Sequence, residues 1–219
     1  MSTGKRTGGK PGAARAITAQ LKTAKGRSTA SQAWLKRQLN DPYVQAARAQ
    51  GLRSRAAFKL MELDDRFKLI RRGMRVVDLG AAPGGWSQVA IQRGAARIVA
   101  LDLLAMDPMA GVDILQGDFS QDDMPDRLED LLGGKADLVL SDMAPNTTGH
   151  TGTDHLRIMA LAEMALDFAI AVLSPGGAFV TKLFQGGSER EMLARMKANF
   201  PSVRHAKPPA SRKESSELY

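Results

Sequence analysis

The stretch Arg75–Gln88, RVVDLGAAPGGWSQ, decides how the rest of the chain is read. It opens on Val76-Val77 between Arg75 and Asp78. A short β-branched run that stops at glycine reads as a buried strand. Gly80, Gly84 and Gly85 follow, with Pro83 inside the turn, and from Trp86 to Gln92 the pattern turns helical. A strand, a glycine turn and a helix are how an α/β sheet opens a nucleotide site. Glycine serves there because, without a Cβ, it tolerates positive φ and lets main chain approach a ligand.

The spacing is G-x-x-x-G-G, whereas a dinucleotide fingerprint requires G-x-G-x-x-G. The turn has no lysine, so it is not a phosphate-cradling P-loop either. It suggests a nucleoside without phosphates, with S-adenosylmethionine as the candidate. A tight βα turn with no ligand is the alternative, and the remaining sequence has to decide between them.

Downstream, strands are expected at 75–79, 97–102, 113–116, 137–141, 178–184 and 202–206, and helices at 85–92, 125–132, 154–173 and 189–199. Such alternation predicts an α/β fold, a mostly parallel twisted sheet with helices on both faces. Ligands collect at the carboxyl ends of strands in these sheets. Asp78, Asp102, Asp118 and Asp142 fall at or just after four successive strand ends. One such aspartate would more often cap a turn; four in a row point to a site. Asp102 also lies about as far from the turn as an acid that grips ribose hydroxyls. Lys182 interrupts an apolar strand, where an unpaired charge is expensive, so it is expected to pair with an acid or to lose its charge, and both suit a site.

Upstream, helical pieces are expected over YVQAARAQ (43–50) and SRAAFKLMELDDRF (54–67), separated by Gly51, with Ser54 as a helix cap. Lys59 sits among apolar neighbours on the second piece; it is either a snorkelling surface lysine or one aimed into a site. SQAWLKRQ (31–38) reads as a helix start with Ser31 as its cap. Residues 1–33, overlapping its start, form a basic, aperiodic tail expected to be disordered. A transit peptide is the rival, disfavoured by glycines at 4, 8, 9 and 12 and by Pro11. The expected organisation is this tail, a helical RNA-facing segment at 34–74 and a Rossmann-like core at 75–219, with 34–219 as one domain.

The net charge is +8, and its distribution says more than its total. Residues 1–40 hold nine basic residues and no acid; 41–75 hold nine against four; 76–142 hold four against twelve; 190–219 hold seven against three. Basic flanks around an acidic middle suit a polyanion held beside a cationic or zwitterionic small ligand; plain solvated surface is the bland alternative. Cysteine is absent, which excludes disulfides, thiolate metal sites and a cysteine nucleophile. His150, His155 and His205 are too scattered to suggest a metal. No apolar run is long enough to span a membrane and the N-terminus lacks a secretory core, so a cytoplasmic location with no membrane partner is expected.

DLGAAPGGWSQ (78–88), DLLAMDP (102–108), LQGDF (115–119), SDMAPN (141–146) and KLFQG (182–186) resemble the motifs of the RlmE/FtsJ family of ribose 2′-O-methyltransferases. YVQAA (43–47) followed by GLRSRAAFKL (51–60) resembles the same family, as does SRKESSELY (211–219). The resemblance runs from about Trp34 to Tyr219. It implies a Rossmann-like, S-adenosylmethionine-dependent domain with no metal. It implies a catalytic set of Lys59, Asp142, Lys182 and Glu217, and cofactor contacts from Gly84, Trp86, Asp102, Asp118 and Asp142. The substrate it implies is a uridine ribose in the A-loop of 23S ribosomal RNA within the assembled 50S subunit.

Lys182 is expected to be the general base, with burial and the like charge of Lys59 favouring the neutral amine that base chemistry needs. Asp142 opposes that, and is expected instead to orient Lys182 or hold the methionine amino group. Glu217 is expected to position the ribose or Lys59. Arg53 to Arg75 and the tail are expected to touch phosphates, and the only aromatics near that face, Trp34, Tyr43 and Phe58, leave little base stacking. Two features depart from the family's pattern: the basic lead is longer, and the chain stops at Tyr219 where family members continue through a closing strand. A monomer is expected. The rival functions are methylation of transfer RNA or capped messenger RNA, a non-catalytic ribosome-assembly factor, and an NAD-dependent enzyme.

Overall fold

In the computed structural model of the chain, residues 29–145, 149–184 and 189–219 are described. The chain divides into Met1–Gln45 and Ala46–Tyr219. In the first unit, helix α1 (Thr29–Asn40) starts before Ser31, which therefore lies inside the helix rather than capping it. The tail before it lies outside the described residues. Asp41 Oδ1 accepts the Tyr43 N–H at 2.9 Å and so caps α2 (Pro42–Ala49), which crosses the boundary between the units.

In the second unit, α3 (Ala56–Phe67) ends where Lys68 turns left-handed and its N–H reaches the Asp64 carbonyl. Ser54 does not cap it: Arg55 is the cap residue, with no side-chain cap bond, and the Ser54 Oγ is buried without a partner. Strand β1 (Arg75–Leu79), helix α4 (Gly85–Gln92), β2 (Arg97–Asp102), β3 (Val112–Gln116), α5 (Met124–Leu132) and β4 (Ala136–Ser141) follow the expected order. Next come α6 (Thr151–Val172), β5 (Leu173–Thr181), β6 (Leu183–Phe184), α7 (Glu189–Asn199) and β7 (Glu217–Leu218).

The five long strands lie in the order β3-β2-β1-β4-β5, and every pair is parallel. Alternation along the strands divides the core. Val76, Ile98, Leu138 and Leu140 pack on the side of α3 and α4 with Leu60, Leu63, Trp86 and Val89. Val77, Leu79, Val99, Leu101 and Val139 pack on the other side with Leu128, Leu132, Phe168 and Ala169. A side-chain period of two delivers apolar groups to both faces, which is why these strands read as unbroken apolar runs. Strand order reverses direction between β1 and β4, and the crevice beyond their carboxyl ends is where such sheets hold ligands.

Two expected strands differ. The strand expected at 178–184 is split: β5 ends at Thr181, Lys182 lies outside any ladder, and β6 pairs antiparallel with β7. The strand expected at 202–206 does not form; Ala206 exchanges one pair of main-chain bonds with Tyr219, at 2.7 and 2.8 Å. Strand propensity becomes a strand only where a neighbouring ladder accepts it. Here an apolar groove of about 280 Å³, lined by Phe67, Phe179, Val180, Phe200 and Val203 among others, separates the segment from β5.

Candidate active site

Register places the site residues in one row. Leu79 of β1 stands beside Leu101 of β2 and Ser141 of β4, and Ser141 stands beside Thr181 of β5. The next residues along the same edge are Gly80, Asp102, Asp142 and Lys182. Main-chain bonds keep the row together beyond the ladders: Gly80 and Ala81 N–H to the Leu101 carbonyl, Asp142 N–H to Leu79, and Lys182 N–H to Ser141.

Four residues from distant parts of the chain converge at one end of this row. The Lys182 Nζ donates to the Asp142 carbonyl at 2.6 Å and to its Oδ1 at 3.0 Å. Lys59, inward on α3, has its Nζ 3.0 and 3.1 Å from the two Glu217 carboxylate oxygens and 3.9 Å from Asp142 Oδ2. The expected set of Lys59, Asp142, Lys182 and Glu217 is thus one cluster of two buried lysines and two partly buried carboxylates. Both lysines are only 7% exposed, which removes the snorkelling reading of Lys59. Breaking one partner of a buried pair leaves a charge uncompensated, so these groups stand or fall together.

A fifth member was missed from sequence. The Tyr219 hydroxyl donates to Asp142 Oδ1 at 2.7 Å and accepts from Lys59 Nζ at 2.9 Å. Its ring packs on Trp86 with centroids 5.5 Å apart. Tyr219 lies two residues after Glu217, and positions i and i+2 share a face of extended chain, so the signal was present. Burial raises the Asp142 pKa, but Lys182, Lys59 and the Tyr219 hydroxyl outweigh it and hold the carboxyl below its ordinary value. Burial and the neighbouring carboxylates of Asp142 and Glu217 push the Tyr219 phenol well above its ordinary value, so it stays a neutral donor.

The glycine turn lies at the middle of the row. Gly84, at φ 104°, precedes α4, a left-handed conformation that suits glycine. The Asp102 carboxylate ties two loops together, accepting the Ala82 N–H at 2.9 Å and the Leu104 N–H at 2.8 Å. Asp118 Oδ1 accepts the N–H and hydroxyl of Ser120, and these bonds lower its pKa. The turn-capping role weighed for the strand-end aspartates is therefore real at both positions. It leaves each carboxylate further lone pairs for a ligand. The Trp86 side chain is buried and donates to the Ala56 carbonyl at 2.8 Å, so the indole joins α4 to α3. Asp78 points to the same side, where one oxygen accepts the Ser87 hydroxyl at 2.6 Å and the other is buried without a partner. Burial raises its pKa to about 7 against the opposing Ser87 bonds, with Asp142 and Asp102 adding to the rise.

The donor set fits a nucleoside bearing hydroxyl and amino groups. Residues 80–86 contain no basic side chain to hold a phosphate, and strand-end carboxylates flank the turn. Asn146, Gln185 and Gly186, which complete two of the motifs, lie outside the described residues.

Residues 52–219 match the model of the FtsJ-like methyltransferases. Over 206 residues the chain is 69% identical to the ribosomal RNA large subunit methyltransferase E of Gluconobacter oxydans, covering 94% of this chain and 77% of that protein. It is 67% identical to the protein of the same name from Granulibacter bethesdensis, covering 97% of this chain and 94% of that one. A solved Plasmodium falciparum protein described as a ribosomal RNA methyltransferase superposes with a TM-score of 0.68 at 29% identity, covering 76% of this chain and 94% of that one.

Proposed function

The chain belongs to the FtsJ-like methyltransferase family, and from that premise we propose that it methylates ribosomal RNA of the large subunit, at the 2′-hydroxyl of a uridine in the A-loop, on the assembled 50S particle. The relatives' names support ribosomal RNA as the substrate class. The observation that carries the reaction type is the contact of Lys182 Nζ with Asp142, at the carboxyl ends of β4 and β5 beside the point where strand order reverses.

S-adenosylmethionine, when bound, supplies an electrophilic sulfonium methyl. Gly84, Asp102, Asp118 and the main chain at Trp86 are the groups that would hold it, with Asp142 at the boundary with the acceptor. The chain's remaining task is to align the ribose oxygen and remove its proton, and alignment is the larger part of such a barrier. Lys182, as the neutral amine, takes the hydroxyl proton on Nζ. Asp142 sets the direction of that amine through two bonds, and its depressed pKa keeps it anionic throughout. Glu217 holds Lys59 in place.

Replacing Lys182 by alanine is expected to lower kcat by at least about 10²-fold, while S-adenosylmethionine affinity stays close to the parent's. Methyl transfer to isolated 50S particles, transfer RNA and capped RNA separates the ribosomal reading from its rivals. Mass mapping of ribosomal RNA from cells lacking the protein locates the nucleotide. An unchanged map sinks the ribosomal assignment. Full activity of Lys182→Ala sinks the base.

A further inference from the structure

Arg53 sits in the basic segment expected to face RNA, yet its guanidinium is committed to main-chain carbonyls of this chain. Its Nη1 donates to the Asp107 carbonyl at 2.7 Å and the Pro83 carbonyl at 3.3 Å, and its Nη2 donates to the Pro108 carbonyl at 2.7 Å. All three acceptors are main chain. They belong to two loops, the glycine turn after β1 and the loop that follows Asp102.

The turn carrying Arg53 is itself fixed. The Gln88 side chain on α4 accepts the Arg53 N–H at 2.9 Å and donates to the Gly51 carbonyl at 2.9 Å. One amide thus grips both ends of residues 51–53 and aims the arginine across α4's first turn. A Cβ on Gly84 would lie 3.1 Å from the Arg53 Cδ and 3.0 Å from the Met109 Cε, so the side chains of Arg53 and Met109 roof that glycine. Asp102 holds the root of the second loop. Beyond it, Leu103 and Leu104 are 64% and 68% exposed, and residues 103–109 form no helix or strand.

We propose that Arg53 is a positioning residue for the cofactor pocket: it staples the 103–110 loop to the glycine turn. It is not a phosphate contact for RNA. The proposal rests on the reading that S-adenosylmethionine binds between those two loops. A guanidinium suits the task because its planar fork reaches several acceptors at fixed angles. A lysine ammonium is one point and cannot hold Pro83, Asp107 and Pro108 together.

The test is calorimetric titration of the full-length chain with S-adenosylmethionine, for the parent, Arg53→Ala, Arg53→Lys, Gln88→Ala and Asp102→Ala. Arg53→Ala is expected to weaken binding about tenfold, the cost of one to two net hydrogen bonds. Arg53→Lys should recover little of it, and Gln88→Ala should fall between. In steady state KM for S-adenosylmethionine rises while kcat at saturation holds. Hydrogen exchange of the unliganded chain should quicken at 103–110 in Arg53→Ala and stay unchanged in β4, which separates loosening of the loop from loss of the fold. RNA affinity and its salt slope should match the parent's. The staple is overturned if Arg53→Ala keeps parental cofactor affinity and instead binds RNA more weakly with a shallower salt dependence. If the parent takes up no S-adenosylmethionine, the pocket reading and the staple both fall. If Asp102→Ala weakens binding and Arg53→Ala does not, only the staple falls.

Discussion

Asp142 illustrates how much one carboxylate is asked to do: it takes bonds from Lys182 and Tyr219 and stands 3.9 Å from Lys59. Asp78, inside β1, has the opposite electrostatics. Burial lifts its pKa from 3.8 to about 7. A carboxyl whose native pKa exceeds its unfolded one stabilises the fold while it is protonated; the benefit is complete below about 3.8 and is lost as pH climbs toward 7. Asp78→Asn removes the titration. Urea unfolding of variant and parent should therefore diverge in the variant's favour between pH 4 and 7, by at most about 1.4 kcal/mol per unit, and stay parallel above. A gap constant across that window would show that Asp78 ionises normally.

At the scale of elements, the joint between α3 and α4 is set by a missing side chain. A Cβ on Gly85 would lie 2.3 Å from the Ser54 Oγ and 3.3 Å from the Ala57 nitrogen. Gly85→Ala is expected to cost about 2 kcal/mol through overpacking. Most of that should return in the Ser54→Ala/Gly85→Ala double variant, because the offending oxygen is gone and had no partner to lose. Gly80 is a contrasting case. A Cβ there would meet the main chain of Met143 at 2.7 Å, and its φ of 75° disfavours any other residue. Met143→Ala should not relieve Gly80→Ala, and thermal unfolding of the two double variants distinguishes a side-chain clash from a backbone clash. The approach of Gly80 to Met143 also links function to fold: the glycine turn and the strand end bearing Asp142 pack through main chain, so neither moves alone. The boundaries of β1, β2, α4 and α7 were legible in sequence because each is fixed locally, by an apolar run, a glycine or a change of period. The break at Lys182 was not, because it depends on β6 turning to pair with β7.

For the whole molecule, charge is the feature sequence reports best. Residues 1–28 carry seven of the 31 basic residues and no acid. Deleting them should weaken RNA binding and flatten its salt dependence by roughly 0.7 for each phosphate no longer neutralised, leaving cofactor affinity intact. Filter binding over a salt series checks this, and an unchanged slope would mean the tail does not touch the backbone. Sequence by itself determined the α/β class, the glycine turn at 80–85, the strand-end acids and the four members of the Lys–carboxylate cluster, the last through resemblance of short motifs in order. These are properties of local pattern: period, turn chemistry and residue type. What only the tertiary structure decided is which groups meet. Tyr219 joins Asp142 from 77 positions away, Arg53 commits its fork to main-chain carbonyls of two loops, and 202–206 stays out of the sheet. Hydrogen-bond partners and burial follow from how distant segments pack, and no local period encodes that packing.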